Sequence, residues 1–242
     1  MNELNLEKQL NSPSQKFAKI IHYLKAKLRN EKKTEVRYLE KYIKPHSIIF
    51  DIGAQFGQYS KQFANLHDGS CKVFSFEPFN YSRDILNKVI SSKKNVKIFS
   101  NGFSNKNITS SLFVPIKKSG KLGPGLSNLG DKIHVNFVKQ EVQLKTIDDF
   151  ILDNSINFLN FIKIDIEGYE LEALEGGKNS IKKFRPVVKC EVDRNLISRI
   201  GKSPKDLFKF FNDLEYEFFI YEKELIQVAS YKKPTDYLFV PK

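Results

Sequence analysis

The pattern of apolar and polar positions along the chain predicts alternating strands and helices. Short apolar runs that end in an acid or a glycine turn are separated by stretches with apolar residues at helical spacing. The order strand, helix, strand, helix, strand is half of a doubly wound parallel sheet. Strands are predicted over residues 48–51, 72–77, 95–100, 109–115, 135–144, 158–165, 187–192, 217–221 and 236–240. Helices are predicted over residues 14–42, 57–66, 81–90, 146–152, 171–181 and 204–214.

The predicted sheet is arranged around residues 48–57, IIFDIGAQFG. A strand ending at Asp51 runs into a turn that carries Gly53 and Gly57, and a helix begins after it. Such a turn lets the backbone approach a flat polar ligand at the carboxyl edge of a parallel sheet, beside a helix N-terminus. A turn that only joins a strand to a helix has the same pattern, so both interpretations remain open here.

An acid at the end of the next strand favours a nucleoside-like ligand. Glu77 follows the turn by about 20 residues, the position from which a carboxylate binds ribose hydroxyls. The dinucleotide fingerprint is not matched, because Gln55 stands where the second close-approach glycine would be, and the sequence has no phosphate loop. An adenosine without phosphate, such as that of S-adenosylmethionine, suits an acid-lined edge better, because acids tolerate its positive sulfonium and repel phosphate.

Composition and charge narrow the functional classes. The net charge of +12 comes from lysines spread along the chain, which favours solvated charge first and an anionic substrate or surface second. No nucleic-acid motif is present, so nucleic acid is not a favoured partner. Cys71 and Cys190 are predicted to be reduced, buried thiols. With neither a signal peptide nor a membrane-spanning segment in the sequence, we expect a cytoplasmic protein.

The first 45 residues are predicted to be a helical extension, and residues 46–242 a single domain. Residues 1–12 are polar and are expected to fray. Within residues 14–42, apolar side chains form one stripe and basic side chains lie opposite. We expect the stripe to pack on its own domain, with a homodimer or an anionic membrane surface as alternatives. The stripe residues are Phe17, Ile20, Ile21, Leu24 and Leu28.

Residues 117–130, KKSGKLGPGLSNLG, are rich in Gly, Ser and Lys and show no core pattern. This composition predicts a mobile loop near the edge of the sheet where the ligand is expected. Such a loop would act as a lid or would bind the second substrate, the acceptor. His134 follows the loop and is a weaker candidate for a general base.

Five motifs, in order and spacing, resemble the FkbM family of S-adenosylmethionine-dependent methyltransferases. The most distinctive is KIDIEGYE, and Gln55 stands where the family usually carries Asn. The resemblance extends over residues 45–195 and reaches neither the N-terminal helices nor the 117–130 loop. The motifs are FDIGAQFGQYS (50–60), FSFEPFNYSRDIL (74–86), LKTIDDFI (144–151), FIKIDIEGYELEALEGG (161–177) and RPVVKCEV (185–192).

The resemblance implies a fold and an activity. The implied fold is α/β, a Rossmann-like class I methyltransferase fold with a doubly wound, mostly parallel seven-stranded sheet and helices on both faces. The implied activity is methyl transfer from S-adenosylmethionine to oxygen, often on a sugar or polysaccharide hydroxyl. A small natural product or RNA is an alternative acceptor. A non-catalytic binding protein of the same fold is a further alternative, against which the acids of the site argue.

The acids at the strand ends are the candidates for chemistry. Asp165 is the first candidate for general base or acceptor positioning, and Glu167 and Glu191 are second, because neighbouring carboxylates raise one another's pKa. Lys163 would form an ion pair with one of them or act as a base if desolvated. A Mg²⁺ or Ca²⁺ site formed by Asp165, Glu191 and Asp193 is a less favoured alternative.

The expected cofactor-binding residues belong to the glycine turn, the ends of the second and third strands, and the KIDIEGYE motif. They are Asp51, Gly53, Ala54, Gln55, Gly57, Tyr59, Ser60, Glu77, Pro78, Phe79, Asn101, Gly102 and Asp165.

Overall fold

The computed structural model describes residues 2–129, 135–222 and 224–242, which form two β-sheets flanked by helices. The strands are β1 (Glu3–Leu4), β2 (Ile48–Ile52), β3 (Lys72–Phe76), β4 (Val96–Phe99), β5 (Gly102–Phe103), β6 (Ile108–Pro115), β7 (Asn128–Leu129), β8 (Phe137–Lys145), β9 (Phe161–Ile164), β10 (Val187–Val192), β11 (Tyr216–Tyr221), β12 (Leu225–Val228) and β13 (Thr235–Pro241). The α-helices are α1 (Leu6–Asn11), α2 (Pro13–Leu28), α3 (Lys33–Leu39), α4 (Gln58–Phe63), α5 (Asn80–Val89), α6 (Ile147–Asp153), α7 (Glu170–Glu175), α8 (Lys178–Phe184), α9 (Arg194–Ile197) and α10 (Pro204–Asp213). Single 3₁₀ turns lie at Glu40–Tyr42, Leu66–Gly69, Pro124–Leu126 and Ser198–Ile200.

The main sheet has the order β12-β11-β13-β10-β9-β2-β3-β4. Its pairs from β4 to β10 are parallel, and β13, β11 and β12 are added antiparallel. This is the doubly wound, Rossmann-like arrangement that the sequence predicts. The described residues place eight strands in this sheet, so the expectation of seven is wrong by one. The extra strand, Leu225–Val228, is a short, half-exposed edge strand without the apolar run of a central strand.

Phenyl rings fill much of the core. Phe150 on α6 packs edge-on against four rings of the main sheet and one ring of β5 in the second sheet, at centroid distances from 4.8 to 6.5 Å. The helix is thereby fixed against both sheets. The five rings are Phe50, Phe74, Phe76, Phe99 and Phe103.

The second sheet carries the 117–130 loop. In this sheet β8 pairs with β1, β5 and β6, and β6 pairs with β7. The loop has more structure than its composition predicts, because Leu122 is buried and its amide donates a hydrogen bond to the buried Gln15 side chain (2.9 Å). The Gln9 side chain also donates to the Gly120 carbonyl (2.7 Å). Residue 130 lies outside the described residues.

The N-terminal helices pack with one face only. Helix α2 rests on α5 through Ala18 and Ala26, while the apolar stripe of Phe17, Ile20 and Leu24 is exposed. The expectation that this stripe packs on its own domain is therefore wrong for these residues and for Leu28, whereas Ile21 is half-buried. The expectation of a frayed start is also wrong for residues 3–11, which form β1 and α1. Across the described residues, we find no helix that combines the length and apolar character needed to cross a bilayer.

We expect Phe150→Ala to lower the free energy of unfolding by about 3–5 kcal/mol, because it removes the ring that joins α6 to the sheet. Urea denaturation measures the change. Leu152→Ala on the same helix is the control, since Leu152 is 74% exposed and its loss should cost less than about 0.5 kcal/mol. Equal losses in the two variants would contradict this account of the core.

Candidate functional site

A cavity of about 320 Å³ opens at the carboxyl edge of the parallel strands. The glycine turn and the end of β3 form one side, the ends of β9 and β10 form the other, and the 117–130 loop contributes Pro124, Gly125, Ser127 and Leu129. The expected position of this loop is therefore confirmed. The predicted site residues that line the cavity are Gly53, Ala54, Gln55, Tyr59, Glu77, Pro78, Gly102, Lys163, Asp165, Glu167 and Glu191.

The glycine turn lies against the backbone of the KIDIEGYE segment. Gly53 has φ +75°, and a Cβ atom there would lie 2.0 Å from the Asp165 carbonyl oxygen, so only glycine fits. The amides of Gly53 and Ala54 both donate to the Phe76 carbonyl (3.1 and 3.0 Å). Gly57 is also structural, because a Cβ there would meet the Leu86 side chain at 2.5 Å. The turn is therefore held between the ends of β3 and β9.

Glu77 is placed as the sequence predicts. Its carboxylate is buried at the cavity wall and accepts hydrogen bonds from the amides of Gln55 (2.8 Å) and Phe79 (2.9 Å). Burial raises the pKa of Glu77 to about 7, although these two amide hydrogen bonds lower it. Each carboxylate oxygen has a second lone pair, so the group can also accept hydrogen bonds from a pair of hydroxyls.

A row of polar side chains crosses the main sheet beneath the cavity. Ser75, Asp51, Lys163 and Lys189 are direct register partners on β3, β2, β9 and β10, so they point to the same face. All four are buried. Buried polar groups require hydrogen-bond or ion-pair partners. The partners of these four side chains therefore determine how the base of the site is held.

Lys163 is the centre of this row. Its ammonium donates to the carbonyls of Gly53 (2.9 Å) and Ile52 (3.3 Å), and it lies 3.5 Å from Asp51 Oδ1 and 3.8 Å from Asp165 Oδ2. Burial disfavours the ammonium, but the carboxylates of Asp165 and Asp51 outweigh burial and raise the pKa of Lys163. The structure thus places Lys163 as an ion-pair partner of Asp51 and Asp165, which favours the first of the two predicted roles over that of a desolvated base.

Asp51 and Ser60 support the site from below and do not line the cavity. The Ser60 hydroxyl donates to Asp51 Oδ2 (2.5 Å) and lies 2.8 Å from the Ser75 hydroxyl. Asp51 Oδ1 has no hydrogen bond to the described residues and faces Lys163. Two other predicted cofactor residues, Phe79 and Asn101, are also outside the cavity wall. Phe79 acts through its amide on Glu77, and the Asn101 side chain donates to the neighbouring Gly102 carbonyl (3.1 Å).

An acid cluster forms the opposite wall. Burial and the charge of Asp165 raise the pKa of Glu167 to about 7 and that of Glu191 to about 8. Glu170, which the sequence analysis did not select, is buried and accepts hydrogen bonds from the amides of Ile166 (2.8 Å) and Gly168 (3.2 Å). Burial raises its pKa to about 7. The sequence feature that could have identified Glu170 is an acid at the start of a helix, one position before the buried Leu171.

The alternative of a metal site at Asp165, Glu191 and Asp193 is not supported. In the described parts of the chain, no three His, Cys, Asp or Glu side chains are grouped so that they could hold a metal ion. Asp193 instead caps α9 by accepting a hydrogen bond from the Asn195 amide (2.7 Å). His134 lies outside the described residues.

The N-terminal extension contributes to the cavity, which the sequence analysis did not predict. Lys32 lines the cavity, and its ammonium lies 4.8 Å from the centroid of the Tyr59 ring. The Tyr59 hydroxyl donates to Glu35 (2.6 Å), and Glu35 also lies 3.0 Å from the Lys189 ammonium. Burial raises the pKa of Tyr59. Because Lys32 lies far upstream in the chain, only the folded arrangement brings it to the site.

Gln55 contacts the 117–130 loop. Its φ is +49°, and its side-chain amide nitrogen lies 2.8 Å from where a Cβ atom on Gly125 would be. The methylene that distinguishes Gln from the Asn usual at this position extends the amide toward the loop. The residue that departs from the family motif, Gln55, is therefore also the residue through which the glycine turn contacts the 117–130 loop.

Comparison with known proteins agrees with this geometry. Residues 51–218 match the family described as the methyltransferase FkbM domain, which is more than half of the chain. The chain belongs to the FkbM methyltransferase family. No curated protein matches the chain.

Solved structures of methyltransferases are similar to this chain to different degrees, and only the first of the three described here has a TM-score above 0.5. An FkbM methyltransferase from Methylobacillus flagellatus KT has a TM-score of 0.51 and 15% identity, over 92% of this chain and 59% of its own. This FkbM chain thus spans somewhat more than half of that protein. An S-adenosylmethionine-dependent O-methyltransferase from Thermotoga maritima has a TM-score of 0.44 and 12% identity, over 86% and 63% of the chains. Fibrillarin from Aeropyrum pernix, in complex with natively bound S-adenosylmethionine, has a TM-score of 0.45 and 9% identity, over 82% and 68%.

The cavity of this FkbM family member fits S-adenosylmethionine. The backbone of Gly53 and Ala54 lines the cavity, and the Glu77 carboxylate can accept hydrogen bonds from a diol. Apolar side chains of Phe103, Leu112 and Leu144 line the cavity between the two acidic sides. This donor and acceptor set suits an uncharged nucleoside that carries a cationic group.

We expect Lys163→Met to lower the free energy of unfolding by about 3–5 kcal/mol, because it leaves the Asp51 carboxylate buried without a cation. Adding Asp51→Asn should restore part of that loss, so that the double variant is more stable than the sum of the single variants predicts. Urea denaturation of all three variants measures the coupling. The control is Lys202→Met, which removes a half-exposed ion pair with Glu175 and should cost about 1 kcal/mol or less. Additive losses at Lys163 and Asp51 would contradict the pairing.

The acid cluster makes stability depend on pH. A glutamate whose pKa is raised in the folded protein stabilises it below about pH 4.5, and this contribution is lost as the pH rises through the folded pKa. For Glu191 the window runs from its usual value of 4.5 to about 8. We expect Glu191→Gln to raise the melting temperature by about 2–4 °C at pH 9 and by little at pH 5, after discounting for solvent screening. Glu222→Gln, at an exposed ion pair, is the control and should show no such gain.

Proposed function

We propose that this chain transfers the methyl group of S-adenosylmethionine to a hydroxyl of a sugar in a glycan or glycoconjugate. The observation that carries the proposal is the pairing of two acidic sides in one cavity. Glu77 ends β3 and can bind a diol, while Glu167 and Glu191, near the ends of β9 and β10, have pKa values close to neutral. The cavity thus combines a nucleoside-binding carboxylate with carboxylates that can accept a proton.

The cofactor side is built from residues that are fixed before binding. Glu77 would bind the ribose hydroxyls, and the Gly53–Gln55 turn would lie along the cofactor. S-adenosylmethionine supplies a methyl group on a positively charged sulfur. The backbone contacts that hold Glu77 and Gly53 keep both groups in place, so alignment of the reactants can supply much of the rate.

The acceptor side must remove a proton, because an alcohol is a poor nucleophile. Asp165 was the first candidate from the sequence. We now favour Glu191, assisted by Glu167, because a carboxylate with a pKa of about 8 holds an abstracted proton better than an ordinary carboxylate does. Asp165 lies beside the Lys163 ammonium and is better placed to orient the acceptor. In this scheme the hydroxyl proton would move to the Glu191 carboxylate as the oxygen takes the methyl group, while the methyl–sulfur bond breaks and its electron pair stays on the sulfur of S-adenosylhomocysteine.

A sugar hydroxyl suits this wall better than a phosphate-bearing acceptor. The acids at the reacting edge repel phosphate, even though the whole chain carries a net charge of +12. Small natural products remain the next candidate class. A cytoplasmic location is part of the proposal and is supported by Cys71 and Cys190, which are both free and buried.

Isothermal titration with S-adenosylmethionine tests the cofactor side. We expect wild-type binding and a loss of roughly 10–100-fold in Glu77→Gln, because hydrogen bonds to a charged acceptor are replaced by weaker ones. Glu222→Gln should bind like the wild type. Absence of binding in the wild type would overturn the assignment of the site.

Transfer of a radiolabelled methyl group tests the acceptor and the base. We expect label in glycan fractions and none in RNA, and label in RNA alone would reject the sugar assignment. Glu191→Gln should lower turnover roughly 10²–10⁴-fold while S-adenosylmethionine affinity changes little. Wild-type activity should rise with pH up to about 8, because the ionised carboxylate is the base. An unchanged turnover in Glu191→Gln would exclude Glu191 as the base.

A further inference from the structure

Helix α2 presents an apolar stripe that nothing in the described structure covers. Phe17, Ile20, Leu24 and Leu28 are 61%, 56%, 45% and 72% exposed. At 100° per residue these side chains span about 80° of the helix circumference and lie opposite the packed face. Large apolar side chains that are contiguous and exposed mark an interaction surface, whereas scattered ones do not.

The opposite face of the same helix is already used. Ala18 and Ala26 are buried, Lys19 pairs with Asp84 of α5 (2.8 Å), and His22 Nδ1 lies 3.0 Å from the Tyr81 hydroxyl. The buried Gln15 side chain accepts a hydrogen bond from the Leu122 amide. The helix is therefore fixed on the protein in an orientation that keeps the stripe outward.

The charges beside the stripe identify its partner. Helix α2 contains four lysines and no acid. Lys16 and Lys27 border one edge of the stripe and Lys25 the other; all three are exposed, and none is in an ion pair with the described residues. A second copy of the chain would bring two such lysine rows together, which like-charge repulsion disfavours. A surface that is apolar inside and negatively charged outside complements this helix.

We propose that the α2 stripe of Phe17, Ile20, Leu24 and Leu28 docks the protein on an anionic lipid bilayer. The stripe runs for about 16 Å along the helix, which suits a helix lying in the plane of the interface. The apolar side chains enter the acyl boundary, and Lys16, Lys25 and Lys27 contact anionic headgroups. This inference is independent of the acceptor, because its test does not use methyl transfer.

Cosedimentation of the full chain with vesicles tests the proposal. The probes are vesicles of phosphatidylcholine with phosphatidylglycerol in equal amounts, and vesicles of phosphatidylcholine alone. We expect binding to the mixed vesicles that weakens at least tenfold from 50 to 500 mM NaCl, and little binding to the neutral ones. No binding to the mixed vesicles at 50 mM NaCl would overturn the proposal, and so would equal binding to both.

Matched variants distinguish vesicle binding through the α2 stripe from nonspecific binding through exposed apolar side chains elsewhere. Phe17→Ser/Leu24→Ser/Leu28→Ser should lose at least tenfold in vesicle binding, with an unchanged circular dichroism spectrum. Leu152→Ser/Phe158→Ser removes apolar side chains that are 74% and 47% exposed elsewhere and should bind like the wild type. Lys16→Gln/Lys25→Gln/Lys27→Gln, which spares the apolar side chains, should lose roughly fivefold per lysine. Undiminished binding of the lysine variant would overturn the proposal.

Sedimentation equilibrium without lipid tests whether a second copy of the chain, and not a bilayer, covers the stripe. We expect a monomer in the wild type and in the serine variant. A wild-type dimer that the three serine substitutions dissociate would show that a second copy covers the stripe, and this would replace the bilayer as the partner.

Discussion

The site depends on the buried ammonium of Lys163. It joins the carbonyls of Ile52 and Gly53 to the carboxylates of Asp51 and Asp165, so a single charge connects the ends of β2 and β9. A buried charge is tolerated only when it is paired and hydrogen-bonded. Lys163 therefore requires Asp51, and Asp51 in turn requires the Ser60 hydroxyl from α4. The geometry of the turn follows from these mutual requirements, and it is set before any ligand binds.

The acids that line the cavity, and Glu170 near them in the KIDIEGYE segment, are held at a cost to stability. The pKa of each of Glu77, Glu167, Glu170 and Glu191 is raised to between about 7 and 8, so near neutral pH the fold holds carboxylates against their preference for water. Carboxylates with raised pKa values that line a cleft are typical of functional sites. A cationic ligand in the cavity would lower the pKa of Glu191 and Glu167, because the ionised carboxylates would gain an attractive partner. Binding of the methyl donor and ionisation of the base would then support each other.

The sequence predicts the cavity wall well where the wall is made of strand ends. Glu77, Asp165 and Glu191 each end or closely follow a parallel strand, and such ends share one edge of a sheet. Asp51 was also expected in the wall, but it lies in register with Ser75 and Lys163 in a row of which only Lys163 reaches the cavity. Strand register is a property of the assembled sheet, so the pattern along one strand could not show this. Leu122 was missed for a related reason, since its burial depends on Gln15, more than a hundred residues away in the chain.

The N-terminal segment shows why the family motifs describe only part of the site. The family motifs form the sheet edge and the glycine turn. Lys32 and Glu35 lie outside these motifs, yet Lys32 lines the cavity and Glu35 accepts a hydrogen bond from the Tyr59 hydroxyl. Lys61, within the domain, donates to the carbonyls of Ala26, Lys27 and Arg29 at the end of α2, so the helices are tied to the domain by buried polar contacts. We therefore expect acceptor choice to reside in Lys32 and in the 117–130 loop, while the residues around Lys163 serve the step that the family shares.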